Sequence, residues 1–160
     1  MPHHSLIKGV FLFFFMTLST ISWAQVSDNS AVQKNESTIF GIWKLSLNDQ
    51  KINLEPAGKS KLDQQNESEK DQFWMKSESR VYVIEADKKV LVSWVDSGSF
   101  YEQKGSWNFN PESGILELLL EKESQSYRVN FTGNGMVWIP INKVDEKEIL
   151  GVLYLRSLGK

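Results

Sequence analysis

Beyond residue 24 the chain contains neither cysteine nor histidine, because both histidines fall at His3 and His4. Thiolate nucleophiles, histidine bases, disulfides, haem attachment and Cys/His zinc sites are therefore excluded from the rest of the chain. Acid–base work would fall to carboxylates, lysines and tyrosines. Asp145, Glu146 and Glu148 share one charged stretch that reads as a solvated face, without the alternating oxygen-ligand spacing of a calcium loop. Asp87 and Asp96 stand where turns are expected, a preference set by backbone chemistry. No G-x-S-x-G elbow, glycine-rich phosphate loop or dinucleotide fingerprint occurs. The reading is of a protein that is not an enzyme and has no cofactor and no metal. What remains is binding chemistry, and its carriers are aromatic. Phe73, Trp74, Tyr82, Trp107 and Tyr127 offer apolar faces with a few polar tips, the usual lining of a small-molecule pocket. The competing use of aromatics at strand spacing is core packing.

The elements that must position these side chains follow a period of two. Thr38–Leu47 places Trp43, Leu45 and Leu47 on one face, and Gly105–Phe109 does the same with Trp107 and Phe109. Arg80–Ala86 and Val90–Val95 are β-branched runs joined by Asp87-Lys88-Lys89, the pattern of a hairpin. Ile115–Glu121 aligns Leu116, Leu118 and Leu120, and Ser126–Thr132 sets Tyr127, Val129 and Phe131 against Ser126, Arg128 and Asn130. Met136–Ile141 and Ile149–Arg156 complete the series, and no long helix is expected. One apolar face per strand requires the sheet to close on itself or stack. Short consecutive hairpins favour an up-and-down antiparallel meander closed into a barrel of about eight strands, an all-β fold. Pro56–Gln72 interrupts this rhythm. It is charged and has no apolar stripe, so it is expected to be a solvated or disordered loop, or else a lid over the barrel mouth.

Gly41-Ile42-Trp43, opening the first strand of this meander, resembles the G-x-W signature of lipocalins and other calycin-type barrels. The later rhythm resembles the small lipocalin-like domains of exported bacterial proteins: Val81-Tyr-Val83, Gly105-Ser-Trp107, Leu116-Glu-Leu118, Tyr127-Arg-Val129 and Leu153-Tyr-Leu-Arg156. The likeness runs from about Ile39 to Arg156. It implies that Gly41, Trp43 and Arg156 close one end of the barrel, with the Arg156 guanidinium packed over the Trp43 indole. The T-D-Y-type second motif and the cysteine pair of many secreted lipocalins are absent.

Ahead of this domain, Met1–Lys8 followed by the apolar run Gly9–Leu18 and by Ser22-Trp23-Ala24 has the form of a signal peptide cut after Ala24. The run is too short to span a bilayer of ~30 Å. Residues 25–37 are polar and aperiodic, a flexible N-terminal segment, and 38–160 form the barrel domain. Cleavage removes Lys8 and no acid, so the eighteen basic residues fall to seventeen against twenty acids. That balance argues against a nucleic-acid partner, and no span remains to hold the chain in a membrane. The expected location is periplasmic or secreted.

Two functions are compatible with these features. One is a small, largely apolar ligand bound in the barrel mouth by Phe73, Trp74, Tyr82, Trp107 and Tyr127, with Phe73 and Trp74 as the docking point of the polar stretch. The other is a filled barrel that acts through its surface as an interaction or envelope-accessory module. The last two strands, apolar on both faces, would then supply a homodimer contact. A void of ~300 Å³ or more at the mouth favours the first reading, and a filled interior the second.

Overall fold

The computed structural model describes residues 39–121, 123–142 and 149–159. The expected signal segment, the polar segment 25–37 and the acidic stretch 145–148 lie outside the described residues. Eight strands form a closed antiparallel barrel in sequence order: β1 (Gly41–Leu45), β2 (Val81–Ile84), β3 (Lys89–Asp96), β4 (Ser99–Asn110), β5 (Ile115–Leu120), β6 (Ser124–Phe131), β7 (Gly135–Pro140) and β8 (Leu153–Gly159). Each strand pairs with the next, and β8 pairs with β1 to leave no free edge around the ring. The up-and-down barrel expected from the alternation is the fold observed. In β5, for instance, Leu116, Leu118 and Leu120 are buried while Glu117 and Leu119 face out. Pro140, which cannot donate to a ladder, ends β7.

The insertion between β1 and β2 corrects the expectation of a structureless stretch. It holds three helices, α1 (Leu47–Ile52), α2 (Pro56–Asp63) and α3 (Glu67–Ser79). No apolar stripe announces them, since α2 buries only Gly58 and Leu62, and α3 only Ser77. Local chemistry holds them instead. Pro56 starts α2 at a position that needs no N–H donor. At the start of α3 the Asn66 side chain accepts the Glu69 N–H, and the Glu69 carboxylate accepts the Asn66 N–H, a reciprocal capping box. Lys70 pairs with Glu67 one turn away at 2.8 Å. Leu47, expected at the end of the first strand, begins α1.

The helices emerge from the last residue of β1 and return to the first of β2, so they all stand at one end of the barrel. Gln50 of α1, 2% exposed, spends both ends of its amide on the backbone leading into β8. Its Nε2 donates to the Val152 carbonyl at 2.7 Å, and its Oε1 accepts the Tyr154 N–H at 3.1 Å. Close approach fixes α2 as well: a Cβ on Gly58 would lie 2.2 Å from the Ile149 carbonyl oxygen. No helix of the described residues is long and apolar enough to cross a membrane.

The opposite end is plugged. Ile39, fully buried, and Phe40 pack beneath Trp43 and Trp107. The Trp43 indole N–H donates to the Ile39 carbonyl at 2.8 Å and that of Trp107 to the Glu85 carbonyl at 2.9 Å. A cation does cover an indole here, but the pair differs from the expected one. Lys88 Nζ lies 4.1 Å from the centroid of the Trp107 ring. Arg156 cannot reach Trp43, because it pairs in register with Lys44, one residue out of phase with the inward positions Trp43 and Leu45. Its exposed side chain therefore lies on the outer wall, beside Lys51 and Glu78.

Between the ends the interior is packed with large buried side chains. Leu116, Leu118 and Trp138 are wholly inaccessible, and Trp138 packs against the rings of Tyr82 at 5.0 Å and Tyr127 at 5.2 Å. One element projects from the ring. Ser99–Lys104 of β4 pairs with β3 but lies beyond the stretch that pairs with β5, which starts at Gly105. Ser97 (φ 51°) and Gly98 (φ 79°) turn this hairpin with two successive left-handed residues, the geometry that two-residue hairpins favour.

Candidate functional site

The site is the helix-covered mouth, and α3 builds most of it. Positions 73, 76, 77 and 80 follow the i, i+3, i+4, i+7 spacing of one helical face. That spacing brings Phe73, Lys76, Ser77 and Arg80 over the starts of β6 and β8 and the end of β7. The Ser77 hydroxyl donates back to the Phe73 carbonyl at 2.8 Å, which satisfies it where it is buried. Arg80 caps the helix with extended backbone (φ −70°, ψ 124°), so α3 passes into β2 without a loop.

Beneath this face lies a cleft of about 270 Å³, bounded by Phe73, Lys76 and Arg80 on the helix side and by Gln125, Tyr127 and Leu153 on the barrel side. Ile149, Leu150 and Gly151 form its outer rim, on the backbone that Gly58 seats. A second cleft of about 190 Å³ adjoins it, with Tyr82, Trp94 and Glu123 on its walls. Lys76, Arg80 and Gln125 line both. The Tyr127 hydroxyl donates to Gln125 Oε1 at 2.7 Å.

An ion pair anchors the helix to the projecting hairpin. Lys76 Nζ lies 2.5 Å from Asp96 Oδ2, and this hydrogen bond holds the Asp96 carboxyl below the ordinary carboxylate range. Ser79 Oγ accepts the Val95 N–H at 2.9 Å on the same strand. Among the described residues no group of three His, Cys, Asp or Glu side chains could hold a metal ion.

Of the five aromatic residues singled out in the sequence, Phe73 and Tyr127 share the first cleft and Tyr82 borders the second. Trp74 turns toward α1, edge-on to Phe73 at 4.9 Å and with Lys51 Nζ 5.2 Å from its ring centroid. It ties two helices together. Trp107 belongs to the plugged end, where the β2–β3 turn places Glu85 and Lys88 around it. Lys76, Arg80 and Gln125 escaped the sequence reading. The signal that could have found them is the Asn66-x-x-Glu69 capping box, which starts a helix and so aligns 73, 76, 77 and 80.

No protein-family model matches the chain, and no curated protein matches it. Among solved structures it is similar to a crystal structure of a DUF4847 family protein from Bacteroides vulgatus ATCC 8482. The two are 12% identical, with 76% of this chain and 96% of that one covered at a TM-score of 0.48.

Proposed function

We propose that this chain is an exported, lipocalin-like barrel that binds a small molecule at its helix-covered mouth and performs no catalysis. One observation carries the reading: between α3 and the starts of β6 and β8 lies a cleft of about 270 Å³ lined by Phe73 and Tyr127, which adjoins a second of about 190 Å³, so the two together exceed the ~300 Å³ expected of a ligand void. A helix meant only to cap a core would fill that space with apolar side chains. The ligand sits above the core, because Trp138, Tyr82 and Tyr127 fill the interior beneath. Export is supported by the charged start, short apolar run and Ser-Trp-Ala ending of residues 1–24. The test is native mass spectrometry of the protein recovered from its periplasmic or culture fraction. A reproducible added mass that leaves on denaturation is expected, and protein that carries nothing and binds no small molecule would overturn the reading.

The many large side chains buried in the interior favour a second reading, a barrel acting through its surface. Its contact would be the outer wall near β7 and β8, where Ile141 (46%) and Leu158 (53%) are exposed. Light scattering that gives a dimer mass, lost on Leu158→Lys, would support it. A monomer at high concentration would remove it.

A further inference from the structure

We propose that the second cleft of the mouth is a saccharide site: it takes one uncharged sugar ring, whose apolar face lies against Trp94 and whose hydroxyls meet Gln103, Glu123 and Gln125. This inference rests on the small-molecule reading of the mouth and names the class of its ligand. The projecting hairpin supplies the aromatic wall. Trp94 shares its parity with the inward positions Val90 and Val92, as Tyr101 and Gln103 share theirs with Trp107 and Phe109. The inward face of the barrel thus continues up the hairpin, past the point where β5 stops pairing. There Trp94 stands opposite Tyr101, and the two rings stack within 13° of parallel at 5.7 Å. Half-exposed Tyr101 fixes the plane of an indole that lines the cleft.

The other walls are polar, and their neutral groups select the ligand. The Gln103 amide and the Glu123 carboxylate make no hydrogen bond among the described residues. Gln125 accepts the Tyr127 hydroxyl on Oε1, which leaves its Nε2 to donate. The two cations on the helix side are already compensated, because Lys76 is paired with Asp96 and Arg80 has a partner of its own. An anion would meet Glu123, and a cation would meet Lys76 and Arg80. A wholly apolar molecule would bury Gln103 and Glu123 without partners. Hydroxyls donate and accept at once, so they satisfy an amide oxygen, an amide nitrogen and a carboxylate together. The C–H face of a sugar ring supplies the apolar side that an indole covers.

Size narrows the class. At the ~30 Å³ that a water molecule occupies in the liquid, a cleft of about 190 Å³ holds about six water-sized groups. That is the scale of one sugar ring, a monosaccharide or the terminal unit of a longer glycan.

The test titrates the purified protein with the methyl glycosides of glucose, galactose, mannose and N-acetylglucosamine by ligand-observed NMR, with adenine and 1-octanol alongside. At least one glycoside is expected to bind about tenfold or more tightly than either of the other probes. Trp94→Leu and Gln103→Leu are each expected to weaken that glycoside about five- to tenfold, with thermal melting as the control for folding. Gln103→Leu keeps the size of a half-buried side chain and so separates a lost hydrogen bond from a lost fold. A glycoside whose affinity is unchanged in both variants would overturn the site, as would adenine or 1-octanol binding more tightly than every glycoside. Failure of all four glycosides would overturn it too. The small-molecule reading then stands if adenine or 1-octanol binds or if the native protein carries an added mass, and it falls as well if none of these is seen.

Discussion

At the plugged end, Ile39, Phe40, Trp43 and Trp107 pack against one another, and both indole N–H groups reach backbone carbonyls. At the mouth, by contrast, a helix brings Lys76 and Arg80 over a barrel rim that ends in Gln125 and Tyr127, with space left between them. The two ends of one barrel thus divide the work. Apolar burial with the Trp43 and Trp107 indoles satisfied stabilises the fold at the plugged end, whereas polar groups beside unfilled space are costly to the fold and are the kind of arrangement that ligands complete.

This division predicts an ordered series of effects. Trp107→Ala is expected to cost about 3–5 kcal/mol in urea unfolding, as large-to-small changes in a full core do. Phe73→Ala, on the rim of unfilled space, is expected to cost much less while lowering ligand affinity. Equal losses at the two sites would erase the contrast.

Gly58→Ala comes next, at about 1–3 kcal/mol, because its Cβ meets the Ile149 carbonyl oxygen at 2.2 Å and backbone must move. The movement displaces the outer rim of the mouth, so ligand affinity should fall along with the melting temperature. A variant as stable as the parent would show that α2 and the rim are loosely coupled.

Smaller still are the cationic substitutions. Lys88→Met keeps the stem but removes the charge over Trp107, an expected loss of about 0.5–1 kcal/mol by thermal melting. Arg156→Ala, on the outer wall, should stay within about 0.5 kcal/mol of the parent. The reverse order would restore the resemblance-based assignment of Arg156 to barrel closure.

The smallest effect is that of pH. Asp96 titrates lower in the folded protein than in the unfolded chain because Lys76 donates to it. Its contribution is therefore present above the unfolded carboxylate range and fades as pH falls through the lowered folded value. Acidification should loosen α3 from the hairpin, seen as a lower protection factor for the Val95 amide relative to its intrinsic exchange rate at each pH. Asp96→Asn should remove that pH dependence.

The barrel was legible because alternation reports burial directly. Leu116, Leu118, Tyr127 and Val129 declare their face in the sequence and are buried in the structure. Trp138 was not identified, although it is wholly buried, because β7 carries apolar residues on both faces and parity there is silent. The helices were hidden for a different reason. Their stability comes from an Asn–Glu cap, a proline start and an ion pair, none of which produces an apolar stripe. Since the helices carry half of the mouth, the sequence pointed to aromatic residues but could not align Lys76 with Arg80. The Arg156 assignment failed on parity: Leu153 and Leu155 face inward, so Arg156 falls on the outer face opposite Lys44.

The ladder between β1 and β8 also bears on how the molecule is made. Neighbouring hairpins can zip as soon as each is available, but the ring closes only when the first strand finds the last. The same delay reaches the mouth. Gln50 waits for Val152 and Tyr154, 102 and 104 residues further along, before α1 can dock. Until then the chain presents two unpaired strand edges and an incomplete cleft, a state prone to pair with other chains. Assembly of the barrel therefore finishes at its C-terminal strand, and removal of β8 would undo both the closed ring and the site above it.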